Sequence, residues 1–262
     1  MRAFRVVVVA TVVLASCGSD NASTSPTTGT SPSPATGPSS ASSTSANSDS
    51  DLQHLTFVAK DGTAIDYVML VPPGRATGQP GKVLLTFPPG GQDPQVTERV
   101  VEDKFHDEAV ARGWVVVSPA APTTGLFYEN KSAALVPELL DHIAAEYPPE
   151  GGKFDLAGVS NGGLSAFKAA LSFPDRFRSL VVFPGYSQDG GDDPNLSKLK
   201  DIGVSMFVGG DDSGWRQASE QTEATLKGLG YTVELHVVPG EPHIIASLTG
   251  ADLFDAIERV RA

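Results

Sequence analysis

Phe154-Asp155-Leu156-Ala157-Gly158-Val159-Ser160-Asn161-Gly162-Gly163 is the stretch on which the fold turns. Its first six residues form a short, almost wholly apolar run, the pattern of a strand buried on both faces. Without a gap, a helical pattern opens at Asn161 and continues to about Phe173. A strand that runs straight into a helix through Gly-x-Ser-x-Gly puts the serine on a sharp, strained turn, with its hydroxyl above the sheet. Side chains at 158, 162 and 163 would collide with the adjoining strand or helix, which accounts for the small residues there. The five-residue motif alone arises by chance, and a serine here could serve only as a helix cap. The flanking strand and helix give it weight.

Working outward, Lys82 to Phe87 is another buried apolar run, and it ends in Pro88-Pro89-Gly90-Gly91-Gln92. Leu55 to Lys60 and Ala64 to Val71, joined by Asp61-Gly62, read as an antiparallel hairpin. Val96 to Arg112 carries helical spacing up to Gly113, and Trp114 to Ser118 is a strand. Pro137 to Tyr147 is a helix with proline in its first turn. Ser179 to Phe183, Val204 to Val208 and Thr232 to Val238 are further strands. A helical stretch ends at Gly228 and Gly230, and a last helix covers Asp252 to Arg261, with Phe254, Ile257 and Val260 on one side. Strands alternating with helices predict an α/β fold: a doubly wound, mostly parallel sheet of about eight strands with helices on both faces and no large lid.

A serine hydroxyl needs a base to take its proton and a carboxylate to orient that base. In this strand-turn-helix setting both follow the serine, acid first. Only His236 and His243 come later. His236 lies on the polar phase of a strand and reads as a surface residue. His243, in the loop Pro239-Gly240-Glu241-Pro242-His243-Ile244, is placed to reach over the strand ends and is the expected base. Phe207-Val208-Gly209-Gly210-Asp211-Asp212-Ser213-Gly214-Trp215 offers two adjacent acids, Asp211 and Asp212, the other being free to cap the next helix. Backbone N–H groups of Asn161 and of the glycine loop, with Gly91 as the choice, are the expected oxyanion donors. Glycines 90 and 91 could also be no more than a flexible turn.

Taken together, the strand order, the glycine loop, Gly158-Val159-Ser160-Asn161-Gly162, Asp212 and His243 resemble the α/β-hydrolase superfamily over residues 55 to 262. The spacing of Asp212 from Gly209 is the commoner one among such enzymes and favours it over Asp211. The lidless layout resembles exported serine esterases of the polyhydroxyalkanoate-depolymerase, feruloyl-esterase and dienelactone-hydrolase kind. Pro88-Pro89 replaces their His-Gly pair, and disulfides frequent among them are absent. The resemblance implies cleavage of carboxylic esters, short or accessible at the acyl group, through an acyl-enzyme, with no cofactor. An acyltransferase or peptidase would use the same triad, and an envelope-binding lipoprotein could keep the fold without turnover. Phe127, Tyr128, Tyr186 and Trp215 fall on loops expected near the serine and are candidate pocket residues. Asp189, Asp192, Asp193 and Asn195 could offer oxygens to Ca²⁺, but without EF-hand spacing they read as a solvated acidic loop and call for no metal.

The remaining features concern address. Met1 to Arg5, the apolar run Val6 to Leu14 and the box Leu14-Ala15-Ser16-Cys17 have the zones of an export signal and resemble a bacterial lipoprotein signal. Cleavage after residue 16 and lipidation of Cys17 would leave the protein on the outer face of the cell membrane, or secreted. Residues 17 to 50 are Ser, Thr, Pro and Gly-rich and read as a disordered linker, leaving a catalytic body at 51 to 262. Cys17 is the only cysteine in the chain, so an internal disulfide is excluded. Losing Arg2 and Arg5 would leave 17 basic residues against 31 acidic ones, a charge near −14 that repels nucleic acid and anionic membrane. The partner that the resemblance implies is a small-molecule or polymeric ester.

Overall fold

The computed structural model describes residues 52–261; the signal segment, Cys17 and the low-complexity stretch lie outside the described residues. Among the described residues there are eight strands and seven α-helices. The strands are β1 (Leu52–Val58), β2 (Ala64–Leu70), β3 (Val83–Phe87), β4 (Val115–Pro119), β5 (Phe154–Gly158), β6 (Phe177–Val182), β7 (Gly203–Gly209) and β8 (Val233–Val238). The helices are α1 (Pro94–Lys104), α2 (His106–Arg112), α3 (Asn130–Ala133), α4 (Val136–Glu146), α5 (Asn161–Ser172), α6 (Ser213–Gly228) and α7 (Gly250–Val260).

The strands form one sheet in the order β1-β2-β4-β3-β5-β6-β7-β8. β1 pairs antiparallel with β2 and β2 with β4, and every other pairing is parallel. This is the expected α/β architecture. Side chains alternate faces along a strand, so Leu85, Phe87, Val115 and Val117 pack with Leu139, Leu140 and Ile143 of α4 and Ala166 and Phe167 of α5. Their neighbours Leu84 and Val116 join Val101 of α1, Ala109 of α2 and Phe254 and Ile257 of α7 on the other face.

One expected helix is two. At Phe105 the backbone leaves helical geometry, with φ at −123°, separating α1 from α2. The Phe105 ring is buried and packs edge-on against Phe183 and Phe254, 6.1 and 6.0 Å away. Core packing, which a local periodicity does not report, thus goes with the break. Among the described residues no helix is long and apolar enough to cross a membrane.

Candidate active site

Ser160 follows the carboxyl end of β5, a central strand, and opens α5. Its φ of 57° and ψ of −121° lie where a residue with a Cβ rarely sits. The turn is held by the Ser160 N–H donating to Pro184 O at 2.9 Å and the Gly162 N–H to Val159 O at 2.8 Å. Tight packing explains the flanking glycines. A Cβ on Gly158 would overlap the carbonyl of Gly162, and one on Gly162 the carbonyl of Phe87.

The ends of β7 and β8 bring in the other groups. His243 Nε2 stands 2.8 Å from Ser160 Oγ, and its Nδ1 stands 2.6 Å from Asp212 Oδ2. Asp212 is the residue before α6, yet its side chain makes no capping bond to the helix and is free to face His243. Asp211 is exposed, and only its backbone is engaged, donating to Glu241 O at 3.0 Å. Neither acid's side chain caps the helix. His236 sits on β8, half-buried, stacked on Phe207 at 4.7 Å and 3.3 Å from Glu234, away from this group.

The His243 loop is braced by a residue that sequence reasoning passed over. Glu241 accepts hydrogen bonds from the N–H groups of Ala246 and Ser247 at 3.0 and 3.1 Å, and the Ser247 side chain, with these two bonds, holds its carboxyl below the usual range. The glycine loop is equally constrained. Gln92 N–H donates to Pro89 O at 3.1 Å, closing a turn with Gly90 and Gly91 at its centre, and Asn161 Nδ2 donates to Gly90 O at 2.9 Å. The N–H groups of Gly90, Gly91 and Asn161 make no hydrogen bond among the described residues.

Beside Ser160 opens a cleft of about 550 Å³ lined by Pro89, Gly90, Val96, Val100, Phe183 and Ile245, among others. Gly90 lines it and Gly91 does not, so Gly90 joins Gly91 as a candidate donor. Ile244 is one of few large apolar side chains left exposed, and it borders this cleft. None of the four expected pocket aromatics lines it. Phe127 is fully buried and packs on Phe87 at 5.0 Å, so it is core. The loop expected to present it is tied down by its own N–H bond to Gln92 Oε1. Tyr128 is half-buried on the same loop. Trp215 and Tyr186 reach the site through His243 instead, with Trp215 edge-on to the imidazole at 4.7 Å and Tyr186 edge-on to Trp215 at 4.9 Å.

Oxygens of the acidic loop are used internally. Asp193 accepts from Ser187 and from the backbone and side chain of Asn195, ordering the turn at Pro194. Burial pushes its carboxyl up, but these bonds outweigh burial and hold it below the usual range.

Residues 78–227 match the family model described as "Putative esterase". The chain belongs to this esterase family. The chain also shares its fold with solved structures. FphF, a fluorophosphonate-binding serine hydrolase of Staphylococcus aureus, is 16% identical, with a TM-score of 0.64 over 80% of this chain and 98% of that one. An S-formylglutathione hydrolase from Agrobacterium tumefaciens is 18% identical, with a TM-score of 0.61 over 80% of this chain and 95% of that one. A thermostable esterase is 19% identical, with a TM-score of 0.60 over 72% of this chain, which spans only 55% of that protein's length. Comparison with curated proteins gives no match. The chain is thus a member of an esterase family and has the α/β-hydrolase fold.

Proposed function

We propose that the chain is an exported serine hydrolase that cleaves carboxylic esters through an acyl-enzyme, with Ser160 as nucleophile, His243 as base and Asp212 as its orienting acid. One observation carries the reading: the unbroken contact chain Ser160 Oγ, His243 Nε2, His243 Nδ1 and Asp212 Oδ2 at the mouth of an apolar cleft. Ser160 Oγ attacks the ester carbonyl while His243 Nε2 takes its proton. Asp212 accepts the Nδ1 proton in a hydrogen bond, fixing the tautomer and stabilising the imidazolium. The carbonyl oxygen gains charge against the Asn161 N–H and an N–H from the Gly90-Gly91 turn. His243 then returns the proton to the departing alkoxide, and the alcohol leaves. Water attacks the acyl-enzyme, giving its proton to His243, and the carboxylic acid is released as Ser160 regains its hydrogen.

The cleft, walled by valine, isoleucine and phenylalanine, suits the acyl group. His243 keeps 34% of its side chain exposed, so water reaches the acyl-enzyme, which favours hydrolysis over transfer to another acceptor. The Leu14-Ala15-Ser16-Cys17 box supports export and a lipid tether at Cys17.

Labelling with a fluorophosphonate and turnover of p-nitrophenyl esters from acetyl to dodecanoyl test the chemistry. Wild type is expected to be labelled and active, and Ser160→Ala to be neither. An unlabelled wild type, or a labelled Ser160→Ala, would overturn the reading. Export is tested separately by expressing the full chain in bacteria with radiolabelled palmitate, where Cys17→Ser is expected to abolish incorporation.

A further inference from the structure

Resting on the ester hydrolysis proposed at Ser160, we infer that Gln92 is a positioning residue for the oxyanion donors, clamping the loop that carries Gly90 and Gly91 to the helix that carries Asn161. The backbone at Gln92 has φ 54°, a left-handed conformation that strains a residue with a Cβ. Glycine would sit there without strain, and the loop already holds two glycines. What glycine lacks is the side chain, and here that side chain is fully buried and hydrogen-bonded at both ends.

Gln92 Nε2 donates to Pro88 O at 3.2 Å and to Ser165 Oγ at 2.9 Å, while Oε1 accepts from the Phe127 N–H at 3.0 Å. Ser165 Oγ gives its one proton to Asn161 O at 2.9 Å, so toward Gln92 it can only accept. That fixes the amide orientation. The Gln92 backbone carbonyl accepts from the Ala121 N–H at 2.7 Å. A continuous chain therefore runs from Pro88 through Gln92 and Ser165 to Asn161. It links the two segments proposed to supply the oxyanion donors, one after β3 and one opening α5. No other side chain among those described bonds to both Pro88 and α5.

Glutamate in this place keeps the shape but has no N–H for Pro88 O or Ser165 Oγ. Gln92→Glu, Gln92→Ala and Ser165→Ala separate positioning from packing. In the Gln92 variants kcat on p-nitrophenyl butyrate is expected to fall about 100-fold, the scale of a lost oxyanion donor, with KM changed less than about threefold. Ser165→Ala, which removes one partner and leaves Gln92 in place, is expected to lose about tenfold in kcat.

Affinity for a trifluoromethyl ketone, whose adduct with Ser160 carries an oxyanion, should fall in step with kcat. Affinity for the non-electrophilic alcohol of the same skeleton should stay constant. A kcat within about threefold of wild type in Gln92→Glu and Ser165→Ala would overturn the inference even if Tm drops. So would equal weakening of both ligands, which would mean general disorder. Should the Gln92 variants fail to fold, Ser165→Ala decides alone. A wild type that fluorophosphonate does not label defeats the underlying reading instead, whereas a labelled wild type with unimpaired variants defeats only the role of Gln92.

Discussion

His243 Nε2 meets Ser160 Oγ at 2.8 Å although the two residues stand 83 positions apart in the chain. The loop after β8 folds back over the end of β5, although β6 and β7 lie between them in the sheet. The same loop delivers the imidazole to Asp212 at the end of β7, so three strand ends share one geometry. Disturbing any of them should show in turnover before it shows in stability.

Asp212 and Asp211 separate cleanly under this geometry. Asp212→Asn leaves the shape intact but favours the wrong imidazole tautomer, and kcat is expected to fall about 10⁴-fold. Asp211→Asn removes an exposed carboxylate with no contact to His243, so kcat should stay within about threefold of wild type. Steady-state kinetics on a p-nitrophenyl ester read both.

The cleft should set chain-length preference. Val100 lines it from α1, and Val100→Trp would fill part of its volume. Relative to acetyl, kcat/KM for a decanoyl ester is expected to fall about tenfold or more, the scale on which hydrophobic pockets discriminate by size. An unchanged profile would place the acyl group elsewhere.

Gly162 is held by close approach of backbone. Gly162→Ala sets a methyl group against the Phe87 carbonyl, and the resulting overpacking should cost about 3 kcal/mol. Thermal melts should then show a Tm lower by roughly 10 °C for a body of this size.

Asp155, at the other end of β5 from Ser160, predicts a pH effect unrelated to catalysis. Burial pushes its carboxyl up to about 6, against 3.8 ordinarily, while a hydrogen bond from Ser179 and the Arg261 guanidinium pull the other way. A raised folded-state pKa means the native protein binds this proton more tightly than the unfolded chain does. The group's contribution is therefore fully present below about pH 4 and is lost as pH rises through about 6. Relative to Asp155→Asn, wild type should gain about 2 kcal/mol between pH 7.5 and pH 4.5, measured by urea unfolding at each pH. A flat difference would show that Asp155 stays ionised throughout.

Much of this site was legible because its parts obey local rules. Gly158, Gly162 and Gly163 stand together in one motif, and a Cβ on Gly158 would meet Gly162 within that turn, but Gly162 and Gly163 face the carbonyls of Phe87 and Pro184, which only the fold brings close. The order of Asp212 and His243 after Ser160 follows from strand succession. Gln92 and Glu241 were passed over because their partners are Ser165, Phe127, Ala246 and Ser247, in loops whose paths no periodicity reports. The place of Phe127 was hidden for the same reason, while Trp215 meets His243 rather than the cleft. Phe127 looked like a loop residue, but a loop pinned by Gln92 turns its ring into the core. In Gly90-Gly91-Gln92, the one signal that could have pointed to Gln92 was a buried-capable amide directly after two glycines.

The sequence by itself determined the alternating α/β sheet and the turn at Ser160, and it singled out His243 as the candidate base, since periodicity, motif and strand succession are read along the chain. Tertiary structure alone decided that Asp212, not Asp211, faces His243. It alone decided that the cleft lies between α1 and Ile244-Ile245. Both depend on how loops far apart in the chain pack over the strand ends, where a rotation of one residue changes which side chain points inward.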